Sequence, residues 1–505
     1  MAESLTVLGL AAATLAASAA LGLAYSRGRV DSAESFVTAR NAVGPGMLTA
    51  TLVASAMGVW ILFAPAEAGA RFGGLSAAIG YAVGSALPLF VYAVLGPRIR
   101  RLIPEGHSLT EFALARYGRA MYGFVLLVSV FYMFIFLAAE LVAITSALGI
   151  VGGVPRWQTA VLVGGFALVY TGYGGFSASL VTDTVQTLLI LPLLALTAVL
   201  AVSSVGGPAS AQSAVLATDP ALLDPGLLRG VEFGIYTSVA VLGAEMLNQT
   251  WWQRIFAARD DATLRRSFLV AGVANFALVL LAGLLGVLAA GQISLGEGGY
   301  APAVAYFGLI QETLPSWVAL AVALLALLLV VSTVDTLFNA LASIVTADLP
   351  RLTGAEDTAT LTAVARGFTA VVAAGAVAVS LQTTSVLDLF FLADLLAAAV
   401  MVPLLLGLYS ERHGQAGALA GGVSGLVVGV AYFPLPLVRG PLSALPLPLP
   451  TPEFLYAFLG AALVSTVVAA LGVVLLPDDF DLGRLSTEIR RLGAPAADGG
   501  EVTEE

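Results

Sequence analysis

The sequence predicts an all-α polytopic membrane protein, and three observations predict it. Of 505 residues, 59% are hydrophobic and only 11% are charged, whereas globular domains run at roughly 25% charged. The mean hydropathy is +0.96. Apolar runs of about 20 residues, the length a bilayer core requires, recur from one end to the other. One membrane domain therefore explains the chain better than three soluble domains of about 150 residues each.

Taken in order, the runs give about thirteen spans, near residues 5–25, 44–69, 74–97, 119–150, 157–173, 176–204, 228–255, 266–291, 313–347, 361–380, 384–409, 415–433 and 453–476. The first is expected to be a retained span, because Met1 is followed by Glu3 instead of a basic stretch. All 22 basic residues are Arg. With the N-terminus outside and the C-terminus cytoplasmic, Arg71, Arg156, Arg229 and Arg439 fall outside and the other 18 (22 − 4) inside, the asymmetry expected of a cell-membrane protein. Between spans, Ser108-x-x-Glu111 reads as a capping box that starts a surface helix, with His107 a solvated loop residue. The tail from 477 is acidic and rich in Gly and Ala, and is expected to be mobile beyond about residue 493.

Composition excludes several chemistries. There is no Cys and there are two His, so thiolate metal sites and cysteine nucleophiles are out. No Ser/His/Asp set or phosphate loop can be assembled, which argues against an enzyme with catalytic residues. The net charge of −10 leaves no basic stripe for nucleic acid. Without Lys, no buried amine is available whose pKa desolvation can shift.

The ionisable groups on the spans are Glu67, Glu140, Asp183, Glu232, Glu245, Asp335, Asp388 and Asp394, all acidic, and no Arg is placed deep in a span. A carboxylate at the bilayer centre costs about 2.5–3.5 kcal/mol or more, so it faces a cavity, finds a partner or takes a proton. Without fixed basic partners, the compensation is a mobile cation: a metal ion, a proton or a charged substrate. Glu67, Glu232 and Asp388 sit where headgroup water reaches them.

Two spans are interrupted. In GPGMLTATLVASAMGVWILFAPAEAG, a break near Met57-Gly58 exposes the carbonyls of Ala54 and Met57, and Pro65 restarts the outer half. The seventh span has Gly243 in mid-membrane. The two lie five spans apart, so a repeat of spans two to six in seven to eleven would be inverted, an arrangement that builds alternating-access transporters. In the ninth span, Ser332 and Thr333 offer adjacent hydroxyls. Together with freed carbonyls they supply the oxygens a hard monovalent cation needs.

Three stretches carry a resemblance: VYTGYGGFSASLVTDTVQ (Val169–Gln186), NQTWWQRIFAARD (Asn248–Asp260) and VSTVDTLFNALASIVTAD (Val331–Asp348). On these, over residues 30 to 430, the chain resembles the sodium/solute symporters that include bacterial proline, sugar and pantothenate carriers. The resemblance implies a leucine-transporter-like core of ten helices in two inverted repeats of five. The domains are then a leading helix and loop (1–43), the transport core (44–409), two trailing helices (410–476) and the tail (477–505). It implies a transported, coupling sodium ion held by carbonyls of Ala54, Met57 and Leu329 and hydroxyls of Ser332 and Thr333, with Asp183 on the ion's inward exit. Proline carriers have an aspartate where this chain has Ala56, which disfavours proline, and ASAMGVWILF offers too few polar groups for a hexose.

For the substrate, Trp60, Glu140, Glu245 and Asp394 are expected to converge at the broken helices. An acidic, aromatic-lined cavity suits an amino acid, amine or similar zwitterion, while Asn248 and Gln249 support the inner gate. The expected activity is sodium-coupled import of a small organic solute. The alternatives are a proton-coupled permease of the same fold and a transporter-like sensor.

Overall fold

The computed structural model describes residues 2–26, 39–353, 358–383, 385–444, 449–489 and 491. Arg27, Arg29, Arg490 and the tail from 492 lie outside the described residues. Among the described residues, every regular element is helical. The leading helix α1 (Ala2–Ser26) is followed by α2 (Pro45–Ala56), a 3₁₀ turn (Val59–Leu62), the short α3 (Ala64–Glu67) and a π-helical turn (Ala68–Gly73). Then come α4 (Gly74–Leu102), α5 (Leu109–Tyr117), α6 (Arg119–Gly152), α7 (Arg156–Ser204), α8 (Pro208–Thr218), α9 (Leu228–Met246), α10 (Gln249–Ala257) and α11 (Asp261–Gln292). The remainder is α12 (Ala305–Thr313), α13 (Ser316–Thr353), α14 (Thr358–Ser380), α15 (Val386–Leu405), α16 (Gln415–Tyr432), α17 (Pro436–Ser443), α18 (Phe454–Leu475) and α19 (Leu485–Glu488).

Among the described residues, ten helices are long and apolar enough to cross a membrane, or eleven if the bent pair α9–α10 is one span. The chain is thus a multi-pass membrane protein, but thirteen separate spans are not found. The second expected span is in pieces: α2 is too short to count, and its outer half runs on into α4 as one stretch, Val59–Leu102. Residues 157–173 and 176–204 form one uninterrupted helix, α7. The glycines between them, with no Pro, Asn or Asp turn chemistry until Asp183, weaken a helix without ending it.

Small residues set the closest packing. An added Cβ on Gly80 would lie 2.4 Å from Gly234 Cα, and one on Gly243 would lie 2.5 Å from Ala398 Cα. Bilayer helices associate through such backbone approach, because lipid leaves no hydrophobic drive between them. Gly243 is therefore not a break but the contact of α9 with α15, and α9 continues through it to Met246. The break comes later, at Leu247-Asn248, with a 59° bend into α10.

The loops that the Arg distribution assigns to one side meet at one end of the molecule. Arg40 donates to the carbonyls of Pro104 and Gly106, Arg100 to Ala258 and Asn41, Arg98 to Leu408, and Arg116 to Ser410. The capping box at Ser108 and Glu111 forms as expected. His107, however, is fully buried and its ring faces Glu111 at 3.4 Å. The loop is not solvated, because α5 folds under the helix ends instead of lying on the surface.

Candidate transport site at the two broken spans

After Ala56 the chain leaves the helix for two extended residues, Met57 (φ −111°, ψ 96°) and Gly58 (φ −89°, ψ −179°). The 3₁₀ turn follows, and Pro65 lies in the first turn of α3, where its missing N–H costs nothing. The break frees carbonyls toward α13. Thr333 Oγ1 donates to Met57 O (3.4 Å) and Leu329 O (3.2 Å), and Met57 N donates to Ala54 O (3.2 Å). All four residues are buried. Ser332, the neighbouring hydroxyl, donates at 2.7 Å to Asp183 Oδ1. These oxygens are neutral and hard, and among the described residues no three acidic or imidazole side chains gather as metal ligands. Such a set fits a monovalent cation better than a transition metal.

Asp183 has a resident countercharge. Its Oδ2 accepts from Thr51 at 2.7 Å and from Arg254 Nη2 at 3.1 Å, and both ionic side chains are fully buried. Arg254 also donates to Thr51 Oγ1, Thr250 O and Thr336 Oγ1. The expectation that no Arg enters the spans fails here. The 59° bend turns α10 inward and carries Arg254 with it. At the other end Arg71 reaches Glu67 at 2.9 Å, so that acid is paired too.

Beyond the breaks lies a small, partly open cavity whose lining includes Trp60, Tyr81, Tyr132, Phe390, Glu245 and Asp394. Trp60 packs against Tyr81 and edge-on against Phe390, each at 6.0 Å between ring centres. Glu245 accepts from Tyr132 Oη (2.9 Å), Asn248 Nδ2 (2.9 Å) and Trp251 Nε1 (2.5 Å). Asp394 is 3% exposed and makes no hydrogen bond or ion pair among the described residues. Two more polar atoms of lining residues, Trp60 Nε1 and Thr237 Oγ1, are buried without partners. Buried polar groups normally find partners, and these belong to residues that line the cavity. Two carboxylates and several aromatic faces, with no basic residue in the lining, suit a cation.

At the Arg-rich end, Gln249 ties the bend to the α5 loop: it donates to His107 O (2.7 Å) and accepts from Leu109 N (3.0 Å). Asp348 accepts there from Ser108 and Tyr122.

The profile of the sodium:solute symporter family matches residues 36–425. The chain belongs to this family. Among the symporter's relatives is the spermidine transporter DUR31 of Candida albicans, 29% identical over 369 residues, 72% of this chain and 67% of that one. The urea-proton symporter DUR3 of Oryza sativa subsp. japonica is 23% identical over 451 residues, 80% and 61% of the two chains. The probable urea active transporter 1 of Schizosaccharomyces pombe is 24% identical over 262 residues, but the symporter spans only 39% of its length. A sodium-coupled sialic acid symporter shares the fold with a TM-score of 0.75 at 15% identity, covering 94% of this chain and 99% of that one. Mhp1, of the nucleobase-cation-symport-1 family, does so at 0.60 and 14%, covering 90% and 98%.

In the symporter, Trp60, Glu245 and Asp394 line the cavity, and Glu140 does not. Its carboxylate lies behind the wall, accepting from Val59 N (2.9 Å) and Trp60 N (3.2 Å). The backbone N–H groups freed by the break reach it before any ligand can. Sequence reasoning missed Arg254. The signal was present: Asn248 caps α10 through its side chain, and a cap inside an apolar run marks a new helix with a new direction.

Proposed function

We propose that the chain is a cation-coupled symporter that imports an organic solute bearing ammonium groups. The observation that carries this reading is Asp394, a buried carboxylate without partner beside Glu245 in an aromatic cavity. A carboxylate so placed is costly until a cation occupies the space. The similarity to a spermidine transporter supports an amine. In the coupled step, sodium among Ala54 O, Met57 O, Leu329 O, Ser332 Oγ and Thr333 Oγ1 ties the first break to α13 and steadies the wall that Trp60 contributes. Asp183 lies on the ion's inward route, and Asn248 and Gln249 close the inner end. The Arg-rich end is cytoplasmic in this reading.

The test is uptake of labelled spermidine by proteoliposomes under an imposed sodium gradient. Accumulation in the wild type and its loss in Asp394→Asn are expected; uptake by Asp394→Asn at the wild-type rate overturns the role of Asp394. Thr333→Ala is expected to raise the half-maximal sodium concentration at least about tenfold, the worth of one charge-assisted contact of about 1.4 kcal/mol.

A second reading, coupling to protons, is favoured by one relative, the urea-proton symporter of Oryza sativa subsp. japonica. A pH gradient replacing the sodium gradient in the same vesicles separates the two.

A further inference from the structure

A break in a membrane helix leaves two kinds of unused backbone groups. The carbonyls before it suit cations, and the N–H groups after it suit anions, which is how interrupted helices take the carboxylate of an anionic substrate. In this chain the N–H groups of Val59 and Trp60 are both occupied by Glu140, at 2.9 and 3.2 Å. Glu140 and Val59 are fully buried, and Trp60 is 8% exposed. The arrangement is built into neighbouring residues: a Cβ on Gly58 would lie 2.2 Å from Glu140 Oε1 and 2.6 Å from the carboxyl carbon. Only a residue without a side chain lets the carboxylate in. Trp60 joins the two regions, since its ring lines the cavity while its amide is bound to Glu140.

We propose that Glu140 is a specificity-determining residue: a built-in carboxylate that fills the anion position of the broken helix and restricts the symporter to amines that carry no carboxylate. The proposal rests on the amine reading above and narrows it. An ω-amino acid can place its ammonium between Glu245 and Asp394, but its carboxylate then meets neither of these N–H groups and adds a further negative charge to those of Glu245, Asp394 and Glu140. A diamine or polyamine brings only positive charge to the two cavity acids. Glu140 thus selects indirectly, by removing the donors a carboxylate needs and by repelling it. Discrimination that leaves buried polar groups of the ligand unpaired is severe.

The experiment uses the purified full chain in detergent, with thermal unfolding and equilibrium binding as readouts. Spermidine on the wild type tests the amine reading itself, independently of Glu140. Glu140→Ala empties the position. It is expected to unfold at lower temperature, to be restored by acetate but not by acetamide, and to bind γ-aminobutyrate or 5-aminovalerate at least about tenfold more tightly than the wild type. Glu140→Gln keeps the side-chain volume without the charge and is expected to show a smaller gain for the same ω-amino acids. It serves where the Ala variant fails to fold without acetate. The proposal is overturned if acetate restores nothing and neither variant gains ω-amino acid binding. It is equally overturned if the wild type binds ω-amino acids as tightly as spermidine. Absence of spermidine binding together with acetate rescue retires the amine reading and leaves the filled anion position standing.

Discussion

Asp183 and Arg254 are the residues where a local rule and its exception meet. A fully buried ion pair gains little over a well-packed apolar pair, because desolvation offsets the attraction, but removing one partner strands a charge at a cost of about 3–5 kcal/mol. Here both partners are fully buried and held by Thr51, Ser332, Thr250 and Thr336. Asp183→Asn and Arg254→Met are therefore each expected to lower the unfolding temperature strongly, and the double variant to recover part of the loss. Thermal unfolding of the four proteins gives the coupling directly. Simple addition of the two single losses would mean that the pair does not act as a unit. Because Ser332 bonds Asp183 and neighbours Thr333, the same cycle read through sodium-dependent uptake reports whether the pair sets the ion site.

At the scale of elements, each helix end follows its local chemistry, and one of them gives a pH prediction. Asp260 caps α11 through the Thr263 amide at 2.7 Å. That backbone bond, aided by the Thr263 side chain and Arg259, holds the Asp260 carboxyl down at about 2, below the ordinary aspartate value of roughly 3.9. A depressed folded value means the cap stabilises at all pH above about 4 and loses its contribution as pH falls toward 2. Asp260→Ala should therefore unfold below the wild type at pH 6, with the gap closing between pH 4 and 2; a gap independent of pH would exclude the carboxylate as its source. The capping box at Ser108, the Met57-Gly58 break and the restart at Pro65 were legible in the sequence, because each is written within a few neighbouring residues. The burial of His107 and the withdrawal of Glu140 behind Trp60 were not, and the inward turn of α10 was marked only by its cap, Asn248. Hydropathy over about twenty residues averages out a nine-residue helix such as α10, and a side chain's partner across 80 positions, as between Glu140 and Trp60, leaves no local trace.

For the whole molecule, the two ends differ in kind. The Arg-rich end is laced by guanidinium bonds to loop carbonyls, and the opposite end pairs Arg229 with Asp219 and Arg156 with Ser380 and Thr383. If arginines are retained on the cytoplasmic side, the C-terminal segment around Ser486 faces the cytoplasm, because Arg116 and Arg484 both lie over the Phe480 ring beside it. Ser210, on α8, and Ser443, on α17, then face outward. The sequence has no cysteine, so each of Ser486→Cys, Ser210→Cys and Ser443→Cys carries one reactive thiol, and all three positions are exposed. A membrane-impermeant maleimide applied to intact cells should label the cysteines at 210 and 443 and spare the one at 486 until the membrane is opened. The reverse pattern would invert the molecule and make the inner gate at Gln249 and the α5 loop an outer one.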